Sequence, residues 1–162
     1  MNFKIKIFLA VIAILLIISG AVFVFKNQIS GFLLQRAINS IYVENLNVAR
    51  TYLIMAGFLE NSPNYHYLSG NLALIQKKYE NALEHYNKAI DLGFLPKEWA
   101  LLKRASIYQL YLVDYQKALN DYLEIEKGAA DRLSLSHEGA MVLLYQPLAS
   151  LYIELGKPNE AI

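Results

Sequence analysis

Four times along this chain a small residue is followed, twelve positions later, by an alanine: Ala37 and Ala49, Gly70 and Ala82, Ser106 and Ala118, Ala149 and Ala161. Apolar and aromatic residues surround these pairs at spacings of three and four. In "KKYENALEHYNKAIDLG" they are Tyr79, Ala82, Leu83, Tyr86, Ala89 and Ile90. Thirty-six residues later, "VDYQKALNDYLEIEKG" repeats the pattern with Tyr115, Ala118, Leu119, Tyr122 and Ile125. Such spacing puts one apolar stripe on a helix. Small residues let two antiparallel helices approach, and the tyrosines fill the space beside the crossing. Each hairpin leaves an apolar face that the next must cover, so the series predicts a stacked array. No stretch alternates with period two, and the expected fold class is all-α.

The N-terminal stretch sets a second constraint. Between Lys6 and Lys26 lie 19 residues without a charge, "IFLAVIAILLIISGAVFVF". As a helix they would span about 28 Å, near the roughly 30 Å hydrocarbon core of a bilayer. With no polar face, the segment does not read as a helix on the surface of a globular domain. Residues 1–6 form a short basic N-terminus and 7–25 a transmembrane helix, a signal anchor in the lipid bilayer. The competing reading is a cleaved signal peptide, with Ser19-Gly20-Ala21 as small residues at the cut. Against cleavage, Val22-Phe23-Val24-Phe25 continues the apolar run. Lys4, Lys6 and the α-amine precede the span, while Lys26 and Arg36 follow it. The positive-inside bias then favours the N-terminus inside and the repeat region extracytoplasmic.

Composition removes several function classes. With 15 basic and 14 acidic side chains the net charge is +1, which supplies no basic footprint for nucleic acid. There is no cysteine, hence no thiolate nucleophile and no Cys-ligated metal. His66, His85 and His137 are scattered without metal-ligand spacing, and no phosphate loop, GxSxG or HExxH occurs. An enzyme, a cofactor and a small-molecule substrate are therefore not expected.

The repeat resembles the tetratricopeptide repeat (TPR) family. Gly70, Tyr79, Ala82, Tyr86 and Ala89 match its signature in one repeat, Ser106, Tyr115, Ala118 and Tyr122 in the next, and Ala149, Tyr152, Gly156 and Ala161 in the last. Ala37 and Ala49 carry a weaker match just after the span. The resemblance implies an α-solenoid of about three to four TPR-like hairpins, the last incomplete. Its divisions are a degenerate hairpin over 26–62, repeats over 63–95 and 96–128, and a loop or extended helix with a truncated repeat over 129–162. Two departures stand out. His66 and Leu102 replace the early tryptophan, and the small residues recur at 33, 36 and 43. The excess falls in "KGAADRLSLSHEG", where Ser134 or Ser136 is a candidate N-cap of a lengthened next helix.

Local signals agree with this register. Pro63 and Pro96 sit where helices begin, while Gly93 and Gly128 sit where left-handed caps end them. Trp99 reads as a buried staple of the inter-repeat turn, with an exposed partner anchor as the alternative. Lys77-Lys78 and Lys103-Arg104 read as solvated pairs or as partly facing a binding groove.

In the TPR family the first helices of successive repeats line a groove for a peptide or a partner helix. By resemblance the groove is Tyr67, Asn71, Leu74 and Ile75 with Lys103, Ile107, Leu110 and Tyr111. This mostly apolar set suits an amphipathic helix or apolar peptide better than an acidic tail. The family's carboxylate clamp is not expected. Asn71 and Arg104 fall on suitable faces, but Leu34, Ile38, Tyr67 and Ala100 stand where polar members are needed. The chain stops at "GKPNEAI", within an opening hairpin, which predicts either missing sequence beyond Ile162 or a partner that completes it. The expected function is a membrane-anchored protein–protein interaction scaffold or assembly factor. The alternatives are a structural spacer subunit of a membrane complex and an exported TPR protein after signal cleavage.

Overall fold

The computed structural model describes residues 3–131 and 144–160, and every regular element among them is helical. The chain divides into two compact units, Met1–Asn61 and Ser62–Ile162.

The first unit consists of α1 (Phe3–Tyr42) and α2 (Leu46–Leu59). The uncharged segment and the first helix of the following hairpin are not separate elements: α1 runs through both without a break. The chain has no proline before Pro63 to interrupt it. Among the described residues α1 is the one helix long and apolar enough to cross a membrane, and its apolar part is uncovered. Among the described side chains of α1, burial starts at Ser30 and recurs at Leu33, Leu34, Ala37 and Ser40, a three-and-four stripe. The opposing stripe on α2 is Ala49, Leu53 and Ala56. Ala37, Ala49 and Ala56 are completely buried, as close helix packing requires. Asn45 caps α2, its side-chain oxygen accepting the Val48 N–H at 3.3 Å.

The second unit is built from α3 (Pro63–Ile75), α4 (Tyr79–Asp91), α5 (Lys97–Ile107), α6 (Tyr115–Asp131) and α7 (Gln146–Glu154). Helices adjacent in this order pack against each other. Ser62 caps α3 with Pro63 in its first turn, and Pro96 precedes α5. Three apolar clusters follow the stack. Ala73, Ala82, Tyr86 and Ile107 form one; Ala89, Phe94 and Ala100 the second. The third joins Leu101, Ala105, Ala118, Leu119, Tyr122 and Ile125 to Leu144, Leu148 and Leu151.

At the α3–α4 crossing a Cβ on Gly70 would lie 2.7 Å from Tyr86 Cε1, a distance no side chain tolerates. Only glycine admits the ring there. In the next hairpin Ser106 and the buried Tyr122 occupy the corresponding positions, 36 residues on. Ala149 is half-buried and Tyr152 packs on the third cluster.

The hairpin turns share one device. A left-handed residue follows the helix, and the next N–H bonds back to a carbonyl five residues earlier. Glu44, Lys77, Gly93 and Gly156 take that conformation, with Asn45 to Ser40, Lys78 to Ala73, Phe94 to Ala89 and Lys157 to Tyr152 as the bonds, all 2.8–2.9 Å. The turn after α5 is wider by one residue. A π-turn covers Tyr108–Leu112, Val113 takes φ 55°, and the Asp114 N–H reaches Tyr108 O at 2.9 Å.

Two expectations fail here. Gly128 does not end a helix but lies inside α6, because a glycine weakens a helix by about 1 kcal/mol without stopping it. Part of the excess length thus extends the preceding helix. Trp99 is no buried staple: it stands on the first turn of α5 and is 59% exposed. Ser134, Ser136, His137 and Ala161 lie outside the described residues, and Pro158–Glu160 form a 3-10 turn.

Candidate functional site

The expected groove residues separate into three kinds. Ile107 is fully buried against Ala73, Ala82 and Tyr86, so it belongs to the core and presents nothing to a partner. Its position on α5 faces back onto the preceding hairpin, a consequence of stacking that single-helix periodicity does not reveal. Tyr67, Asn71 and Leu74 are half-buried and engaged internally. The Tyr67 ring stacks on Phe94 at 4.2 Å, and burial raises its phenol pKa above the ordinary value. Asn71 Oδ1 accepts the Tyr86 hydroxyl at 2.8 Å, and Leu74 packs beside the first cluster. Ile75, Lys103, Leu110 and Tyr111 are the exposed members.

Leu110 and Tyr111 belong to a continuous exposed lip. Leu110, Tyr111, Leu112 and Val113 all present apolar surface on and beside the π-turn. Tyr111 stacks on Tyr79 with centroids 4.1 Å apart, which fastens the lip to the first turn of α4. A partner helix or peptide that supplied apolar side chains would find a rigid aromatic platform there.

A second surface was not foreseen. Asn87, Asp91, Arg104, Tyr108, Lys117, Asn120, Asp121 and Glu124 line an open polar cleft of about 520 Å³ between α4, α5 and α6. Arg104 does not point freely to solvent. Its Nε and Nη2 donate to the two oxygens of buried Asp121 at 2.8 and 2.6 Å, and Nη1 donates to Asn87 Oδ1 at 2.6 Å. The Asp121 carboxylate holds the guanidinium even more firmly protonated. Lys117 pairs with Asp114 at 2.7 Å, and its ammonium lies 5.3 Å from the Tyr108 ring centre. Lys97 pairs with Glu124 at the rim. With the Asn120 oxygen accepting from Gln116 Nε2 at 3.3 Å, the cleft offers mainly the amide nitrogens of Asn87 and Asn120 and the carboxylate of Asp91.

The two hairpin histidines also meet, across 19 residues of sequence. His66 Nδ1 and His85 Nδ1 are 3.0 Å apart, one donating and the other accepting, with Tyr65 edge-on to both rings. Burial lowers both pKa values, and the adjacent His85 lowers that of His66 further. Among the described residues no group of three or more His, Asp or Glu side chains is placed to hold a metal ion. Neither this pair nor the Arg104–Asp121 bridge follows a local motif, and pairing of polar positions across the hairpins is the one signal that could have found them. No protein-family model matches the chain, and no curated protein matches it.

Proposed function

We propose that this chain is a membrane-anchored, TPR-like interaction scaffold that holds a partner's apolar helix or peptide on its second unit. One observation carries the reading. Successive hairpins reuse the same close-packed small-residue and tyrosine positions, and they leave the Leu110–Val113 segment exposed, with Lys103 and Ile75 exposed as well. Repeats of this kind present extended surfaces for other proteins. The apolar first part of α1 serves as the anchor, with the N-terminus inside and the repeats extracytoplasmic as the charge bias favours.

The test is site-directed photocrosslinking in native membranes. A crosslinker at Leu110 or Lys103 is expected to capture one discrete protein, and a crosslinker at Glu84 is not. Lys103→Glu and Leu110→Ala should abolish that adduct while leaving the helical content unchanged. If the lip positions give no adduct, the binding surface is misplaced.

A structural spacer subunit is the second reading, favoured by the internal commitment of Tyr67, Asn71 and Ile107. It predicts that lip variants are silent, whereas loss of residues 1–26 removes the protein from its complex.

A further inference from the structure

The polar cleft of the second unit contains one charge that no neighbour answers. Arg104 is held by Asp121, Lys117 by Asp114, and Lys97 by Glu124. Asp91 lines the same cleft and has no hydrogen bond or ion pair among the described residues. It is also the last residue of α4. A helix is negative at that end, so an anion there is disfavoured and a cation favoured. A cation reaching Asp91 meets two attractions, from the carboxylate and from the helix end.

The uncharged groups of the cleft are committed in one direction. Asn87 Oδ1 accepts from Arg104 Nη1, and Asn120 Oδ1 accepts from Gln116 Nε2. What each amide presents to an entering molecule is therefore its nitrogen, a donor. Arg104, bonded to both Asn87 and Asp121, is a strut between α4 and α6 that fixes this arrangement. Asn87 and Asp91 lie one turn apart on α4, so a donor and the anion share a helix face. Asn120 brings the second donor from α6.

A matching ligand carries a cation with uncharged oxygen acceptors close to it. A lysine or arginine within a peptide has that pattern, its side-chain charge flanked by backbone carbonyls. Nucleic acid and acidic tails have the wrong sign, and a polyamine has no acceptor for the amides. An apolar helix would bury Asp91 and both amides unpaired. The volume of about 520 Å³ falls within the roughly 300–1,000 Å³ usual for ligand sites.

We propose that the α4–α5–α6 cleft binds a peptide segment through a lysine or arginine, with the charge on Asp91 and the flanking carbonyls on the amide nitrogens of Asn87 and Asn120. Leu110–Val113 take no part in lining it, so this contact stands or falls independently of the apolar lip.

The test is nuclear magnetic resonance on the isotope-labelled full chain in dodecylmaltoside, reading the side-chain amide signals of Asn87 and Asn120. The probes are the capped tripeptide acetyl-Gly-Lys-Gly-amide and its norleucine and glutamate counterparts. The lysine peptide is expected to shift both signals saturably at millimolar concentration, and the other two are not. Asp91→Asn should weaken it about fivefold, the upper end for an exposed ion pair, and Asn120→Ala by less. Both side chains are exposed, so neither substitution disturbs packing. Glu80→Gln removes an exposed carboxylate from the first turn of the same helix and should change nothing. Equal shifts from the lysine and norleucine peptides overturn the proposal, because the charge is then not read. Shifts from the glutamate peptide alone assign the cleft to anions and also overturn it. Equal weakening by Glu80→Gln and Asp91→Asn reduces the contact to general attraction, and no shift with any peptide leaves the cleft a structural strut. Either result overturns the proposal.

Discussion

Positions 85 and 121 are equivalent in the two hairpins of the second unit, and each reaches across to the preceding helix in a different way. His85 meets His66 through two uncharged imidazoles, whereas Asp121 holds Arg104 in a two-pronged ion pair. The small residue at the crossing differs as well. Gly70 leaves room for the Tyr86 ring, and Ser106 turns its hydroxyl onto Leu102 O at 2.8 Å. Tyr86 gives its hydroxyl to Asn71, while Tyr122 gives its own to Gln109 at 3.0 Å. One spacing of small and aromatic residues thus accepts two chemistries. The first hairpin depends on shape and the second on charge.

The comparison breaks most strongly at Arg104. Arg104→Ala leaves Asp121 buried without its cation and should lower stability by about 3 kcal/mol. Urea unfolding of the detergent-solubilised chain, followed by circular dichroism, reads this. A change no larger than for an exposed lysine would mean that charge does not hold the second hairpin. Next is Gly70→Ala, which forces a methyl into the Tyr86 ring and should cost about 2 kcal/mol despite the better helix former. Ser106→Ala should stay within about 0.5 kcal/mol, and equal responses at 70 and 106 would erase the distinction.

Tyr86→Phe removes the hydroxyl from half-buried Asn71 and should cost about 1 kcal/mol in the same assay. Of opposite sign is Val113→Gly. Val113 is a β-branched residue in left-handed backbone, and glycine there should raise stability by about 1 kcal/mol. The smallest effect needs no substitution. Burial holds His66 and His85 below the ordinary value of 6.5, so the unfolded chain takes up protons where the folded hairpin does not. Their contribution is complete above about pH 6.5 and declines as the pH falls below it, through the lowered values of the folded state. The amplitude is modest because His85 is only half-buried. His66→Phe combined with His85→Leu should flatten this part of the pH profile, and an unchanged slope would assign it to other groups.

Local spacing carried much of the helical layout. Ala37, Ala49, Ala82, Ala89 and Ala118 are all completely buried, because a helix face repeats every three or four residues and needs no knowledge of its partner. Helix starts at Pro63 and after Pro96 were legible for the same local reason. What escaped depends on how helices cross. Ile107 turns inward, Arg104 finds Asp121 and His66 finds His85 only once the hairpins stack, and no periodicity within one helix encodes those meetings. Turn geometry was half legible. Gly93 and Gly156 advertise left-handed backbone, but Glu44, Lys77 and Val113 adopt it without a glycine to announce them. The polar cleft was missed because Lys103-Arg104 looks like any solvated basic pair until its second member is seen bridging to Asp121 and Asn87.

The two units differ in charge as well as in packing. Residues 1–61 carry five basic and two acidic side chains, and the rest of the chain carries ten and twelve.

Since α1 passes from its apolar part into the hairpin without a turn, it works as a crankshaft. A tilt of about 20°, ordinary for a spanning helix, would carry Tyr42 sideways by about 8 Å relative to Lys26. A rotation about its own axis would sweep α2 round by the same angle. With α1 as the proposed anchor, lipid thickness, or a neighbouring span that leans on it, would gain a mechanical handle on the hairpin without touching it.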